Sequence, residues 1–143
     1  MKKFYGLFMV LVVVMGALLS ACSASTANIQ SAELGKGYDS GTQKITDPTT
    51  TFAPTDSTIH LAVAVANAPD DTTVKSVWTA VDVPSQDLKD QQLGENTFST
   101  KDIGSTVHFT LDGPGGLEWP AGSYKVDIYL NDKLDRTINY TVE

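Results

Sequence analysis

From residue 45 onward the apolar residues recur at every second position, in short runs that end at turn clusters. Ile59, Leu61, Val63 and Val65 alternate with His60, Ala62 and Ala64, and the run stops at Asn67-Ala68-Pro69-Asp70-Asp71. Residues 74–83 predict a second strand, with Trp78 at its middle. The polar stretch 84–95 predicts a connection, followed by a short strand near 97–100. Val107, Phe109 and Leu111 alternate with His108 and Thr110 and end at Asp112-Gly113-Pro114-Gly115-Gly116. Tyr124, Val126, Ile128 and Leu130 supply the next inward face, and Leu134, Ile138, Tyr140 and Val142 the last. A period of two, with turn residues between the runs, leaves a two-sheet sandwich or a barrel of about seven antiparallel strands.

The last two runs carry a register condition. A two-residue turn at Asn131-Asp132 with regular pairing sets Val126 against Thr137 and turns Ile138 outward. One extra residue sets Leu130 against Leu134, Val126 against Ile138 and Tyr124 against Tyr140, so both apolar sets share a face. The sequence therefore predicts a three-residue loop or an adjacent bulge. Arg136 falls in phase with the inner face, which places its head at the sandwich edge.

Trp78 in a long central strand, and Gly122-Ser123-Tyr124 opening the penultimate one, resemble the buried tryptophan and the tyrosine corner of immunoglobulin-like domains. The segment from Trp119 to Val142 resembles the closing hairpin of bacterial extracellular Ig-like modules. The cysteine pair of antibody-type domains is absent, so the likeness is to the disulfide-free branch. Such folds host adhesion, assembly, carbohydrate-binding and spacer roles, so the resemblance does not choose among them.

The N-terminal segment carries an address. Lys2 and Lys3 form a basic start, and an apolar run from Leu7 to Leu19 follows, shorter than the roughly 20 residues that a spanning helix needs. Leu19-Ser20-Ala21-Cys22 then resembles the lipobox of bacterial lipoproteins. The resemblance implies a signal peptide over residues 1–21 and lipid attachment at Cys22, with cleavage just before it. It also implies an extracytoplasmic location on a membrane. With Ser23 next, that is the outer membrane in a host with two membranes, and otherwise the outer face of the cell membrane. An ordinary secretory signal with an unrelated cysteine is the competing reading. Residues 22–44 are small, polar and aperiodic, which predicts a flexible linker spanning about 25 Å. The sandwich is then expected over residues 45–143.

Cys22 is the only cysteine, so no intrachain disulfide is available and the fold rests on its apolar core. The whole chain carries a formal charge of −7. Loss of Lys2 and Lys3 with the signal leaves eight basic against seventeen acidic side chains, or −9. That balance argues against nucleic acid and against charge-driven adhesion to anionic lipid.

Catalytic signals are sparse. No Gly-x-Ser-x-Gly elbow occurs, and Gly113-Pro114-Gly115-Gly116 lacks the Lys-Ser/Thr ending of a phosphate loop. His60 and His108 fall outward on strands that neighbour each other in Ig topology, as a two-imidazole metal site or as solvent-facing residues. No cofactor is expected. Asp70, Asp71, Asp102 and Asp132, with Asn67 and Asn131, would gather at one loop end, either as oxygen ligands for Ca²⁺ or as turn formers. Val77, Val81 and Tyr129 would form an outward apolar stripe, a docking face for an envelope protein or polysaccharide unless another segment covers it. Trp119 would stack on a sugar or peptide, or close the core as a lid. The expectation is a non-enzymatic binding or assembly module of the cell envelope. The alternative is an accessory small-ligand- or Ca²⁺-binding lipoprotein serving a transporter or enzyme complex.

Overall fold

A computed structural model describes residues 26–143, apart from the side chains of residues 102, 103 and 116. Cys22 and the signal segment lie outside the described residues, as does the side chain of Asp102. The elements are β1 (Asn28–Asp39), β2 (Lys44–Pro48), β3 (Thr51–Phe52), β4 (Thr58–Ala66), β5 (Thr73–Val83), β6 (Leu88–Ser99), α1 (Thr100–Ile103), β7 (Thr106–Asp112), β8 (Gly122–Leu130) and β9 (Lys133–Val142). They form two sheets, ordered β2-β1-β4-β7 and β3-β9-β8-β5-β6. No helix among the described residues is long and apolar enough to cross a membrane.

The alternating runs bury one face of each sheet. Ile59, Leu61, Val63 and Val65 of β4 and Val107 and Phe109 of β7 meet Val74, Trp78, Val126, Ile128, Tyr140 and Val142 of the other sheet. Trp78 is 1 % exposed, at the centre of this core. The Tyr124 hydroxyl donates to the Pro120 carbonyl at 2.6 Å, which forms the tyrosine corner that Gly122-Ser123-Tyr124 announces. The strands are all antiparallel to their neighbours except β3, which runs parallel to β9.

Four expectations need correction. Residues 22–44 are not a linker throughout, because β1 pairs with β4 from Asn28 to Gly35 and buries Ile29 and Leu34. Its period was hidden by a bulge between Ile29 and Ser31, which shifts the inward positions from odd to even. The sandwich therefore begins near residue 28, not 45. Residues 84–95 are not a plain connection, since most of them belong to β6, a twelve-residue edge strand paired with β5. A strand exposed on both faces has no apolar alternation to show. The count of strands accordingly rises from about seven to nine.

The last hairpin meets its register condition through the bulge. Asn131 and Asp132 take left-handed conformations (φ 49° and 63°) in a two-residue turn, as type I′ geometry requires. An irregularity between Ile128 and Tyr129 then absorbs one residue of β9, and Val126 pairs with Ile138 and Tyr124 with Tyr140. Leu130 pairs with Lys133, however, so Leu134 faces outward and is half exposed. Arg136 reaches the sandwich edge and donates to the Ile29 carbonyl of β1 at 2.9 Å and to Asp135 at 2.8 Å.

Glycine is required where β2 crosses β1. A Cβ at Gly35 would meet the Ile45 side chain and lie 2.8 Å from the Asp47 carbonyl oxygen. Only a bare backbone admits that approach.

Candidate binding site

Since Asn28 pairs with Ala66, Gly35 with His60, and Thr58 with Asp112, β1 runs from the β4–β5 loop towards the far end of the sandwich. Nine residues of β4 separate the two ends by about 30 Å. The end at Asn28 also carries the β8–β9 turn and α1. Thr100 donates through its hydroxyl to the Pro69 carbonyl at 2.9 Å, and Thr73 donates its amide to Asn131 Oδ1 at 3.0 Å. The loops bearing Asp70, Asp71 and Asp132 lie at this end, but their carboxylates form no cation site among the described residues. Asp132 faces Lys75 at 3.9 Å and is largely exposed, and Asn131 Oδ1 is engaged by the backbone. Among the described residues no three His, Cys, Asp or Glu side chains come together as a metal site.

The opposite end holds an open cleft of about 360 Å³. Leu88 and Leu93 of β6 form one wall, Leu111 of β7 the other, and Leu117 and Trp119 of the β7–β8 loop complete it. Leu93 is the extra residue of a bulge, because Trp78 pairs with Gly94 and Thr79 with Gln92. Bulges re-aim side chains in this way. Leu117 is 75 % exposed and stands at the mouth. Asp112 and Glu118 line the same cleft, together with no Lys or Arg among the described residues. At the other end of the seam between β6 and β7, Phe98 packs on Phe109 with ring centres 5.3 Å apart.

Trp119 is not a free stacking surface. It is 5 % exposed, its amide donates to the Pro54 carbonyl at 2.8 Å, and its ring meets Tyr124 edge-on at 6.1 Å. The tyrosine corner draws the preceding loop inward, so the indole closes the core and contributes to the cleft from within. Val77 and Val81 are half-buried on the outer face of their sheet. The stripe they were expected to form with Tyr129 is broken by charge. Val77 pairs with Asp127 on one side and Glu95 on the other, and Lys75 Nζ lies 4.6 Å from the Tyr129 ring centre. Lys125 holds Asp127 at 3.0 Å, and that carboxylate raises the Lys125 pKa.

On the outer face of the other sheet, His60 Nδ1 and His108 Nε2 are 3.0 Å apart. The rings are nearly parallel with centres 5.2 Å apart, so they meet edge to edge, one N–H donating to the other ring's lone pair. Tyr38 stacks on His108 at 3.7 Å. Burial lowers the His108 pKa, and the neighbouring His60 lowers it further. The histidines are therefore not solvent-facing singles, and among the described residues they belong to no wider ligand cluster.

Comparison with known proteins supports the architecture. An immunoglobulin-like protein from Pseudomonas aeruginosa superposes with a TM-score of 0.56 at 16 % identity, covering 85 % of this chain and 99 % of that one. An alkylpurine DNA glycosylase from Pseudomonas fluorescens, bound to DNA containing an abasic site analog, gives 0.47 at 12 % identity, over 84 % of this chain and 31 % of that one. A superoxide reductase (neelaredoxin) from Ignicoccus hospitalis gives 0.43 at 15 %, over 82 % and 80 %. Only the first is close enough to bear on the fold, and at that identity it bears on nothing else. No protein-family model and no curated protein matches the sequence. The chain is an immunoglobulin-like β-sandwich without a disulfide.

Proposed function

We propose that this is a lipid-anchored extracytoplasmic protein whose sandwich serves as a non-catalytic binding or assembly module of the bacterial cell envelope. The observation that carries the reading is the order Lys2-Lys3, apolar run, Leu19-Ser20-Ala21-Cys22, with β1 starting six positions later. That short arm spans at most about 20 Å when extended. Anchored at Cys22, the domain would hold its Asn28 end, with the acidic loops, near the membrane. The cleft at the far end would then face away from the lipid, where a partner can reach it. The two histidines of the chain engage each other rather than a nucleophile, which supports binding over catalysis.

The test is metabolic labelling of the full chain, expressed in a bacterium, with an alkyne fatty acid. Wild type should carry the label and sediment with membranes, and Cys22→Ser should lose both. An unlabelled wild type, or a Cys22→Ser variant that keeps the label, would overturn the anchored reading. Photo-crosslinking from position 117 on intact cells addresses the binding role, which a recurrent envelope partner would support.

A further inference from the structure

We propose that the outer edge of β7 receives an extended basic segment of a partner protein, which adds to the sheet as a strand and buries an apolar side chain in the adjoining cleft. This rests on the binding-module reading and gives that module a partner chemistry. Among the described residues β7 pairs with β4 alone. The Val65 amide donates to the Ser105 carbonyl, and the Gly113 amide to the Ser57 carbonyl. In an antiparallel ladder the odd-numbered residues between these points therefore face β4. His108, Thr110 and Asp112 direct their N–H and C=O groups to the open edge. Such a row is a template for another strand.

The two edges on this side of the sandwich are treated differently. β6 is irregular, with the Leu93 bulge, a left-handed Asp90 (φ 49°) and Lys89, all features that discourage pairing. β7 keeps unbroken register with β4 over its whole length. The chain closes the near half of the gap with Phe98 on Phe109 and leaves the half beside Leu111 and Asp112 open. An added strand there would place its inward side chains between Leu93, Leu111 and Leu117.

Charge selects the occupant. Asp112 and Glu118 line the cleft, no Lys or Arg among the described residues lines it with them, and the chain is acidic as a whole. A second copy would bring the same carboxylates to the same edge, whereas a segment alternating basic and bulky apolar residues complements both the rim and the apolar walls.

The probe is a strand-length peptide alternating Lys with Val, Leu and Phe, titrated against the full chain in lipid nanodiscs. The expected result is saturable binding with slowed hydrogen exchange at the His108, Thr110 and Asp112 amides. Thr110→Pro removes one outward N–H without touching the β4 ladder, and Leu117→Asp charges the mouth of the cleft. Each should weaken binding by about tenfold or more with the melting temperature held. The same peptide with Glu in place of Lys should not bind. Binding that survives both variants, or that the Glu peptide matches, would overturn the proposal. So would no binding at all, or sedimentation showing instead a dimer that Thr110→Pro abolishes. A null result here would leave the labelling and crosslinking outcomes standing, so the two readings fail separately.

Discussion

Two tyrosines of the core should respond with opposite signs to the same substitution. Tyr124 and Tyr140 pair across the final hairpin, their rings stack 5.4 Å apart, and each is 2 % exposed. The Tyr124 hydroxyl donates to Pro120 at 2.6 Å, whereas the Tyr140 hydroxyl is buried and finds no hydrogen-bond partner among the described residues. Burial raises both pKa values, that of Tyr140 far more. Tyr124→Phe removes a made bond and leaves the Pro120 carbonyl short of a donor, a loss of about 1–2 kcal/mol. Tyr140→Phe removes a desolvated hydroxyl that returns nothing, and should gain about 1 kcal/mol or more. At roughly 4 °C per kcal/mol for a domain of this size, the two variants should melt on opposite sides of wild type. Urea titration with unchanged slope would confirm that stability, not compactness, has moved. Equal destabilisation by both would refute the reasoning, because it would mean that the Tyr140 hydroxyl contributes as a partnered group does.

Three further outcomes follow from single contacts. Gly35→Ala should cost about 1–3 kcal/mol because β2 must move off β1, while Gly94→Ala, where a Cβ meets nothing within 4 Å, should cost far less; paired thermal melts decide it. Arg136→Ala removes the charge-assisted bond to the Ile29 carbonyl, so amide exchange should accelerate over residues 28–34 before elsewhere, with a loss of about 1 kcal/mol at this part-exposed site. The lowered His108 pKa means that the unfolded chain takes up the proton first. Its contribution is full above about pH 6.5 and is lost as pH falls through the lower folded value. Wild type should therefore lose melting temperature on acidification below pH 6.5 more steeply than His108→Gln, and parallel curves would contradict the buried-pair account.

The core strands were legible because each has one face against the other sheet. Ile59 to Val65, Val107 to Leu111 and Tyr124 to Ile128 therefore alternate without interruption, and Trp78 and the tyrosine corner fall where the alternation places them. Legibility failed wherever a bulge changes the parity. Ile29 and Leu34 are both buried yet five positions apart, a spacing that no period of two allows until Gln30 is recognised as the extra residue. Leu134 leaves the inward phase of β9 for the same reason, since Asp135 is the residue absorbed between the Ile128 and Tyr129 registers. Arg136 is the one misfit in that face, and it marks the contact that ties β9 to β1.

The candidate site was hidden by the same physics that makes it usable. Its walls come from Leu88, Leu93, Leu111, Leu117 and Trp119, which lie on two edge strands and a loop and share no period. β6 is exposed on both faces for most of its length, so its residues need not alternate in polarity and show mainly polar composition. Charged and irregular residues at an edge serve to prevent pairing, and they accumulate on β6. β7 carries no such irregularity, and its one carboxylate, Asp112, stands at its end, so its regular register is informative in a way that composition cannot be. A regular, unpaired edge beside an apolar cleft costs aggregation resistance unless something occupies it, and the acidic rim restricts what that occupant can be.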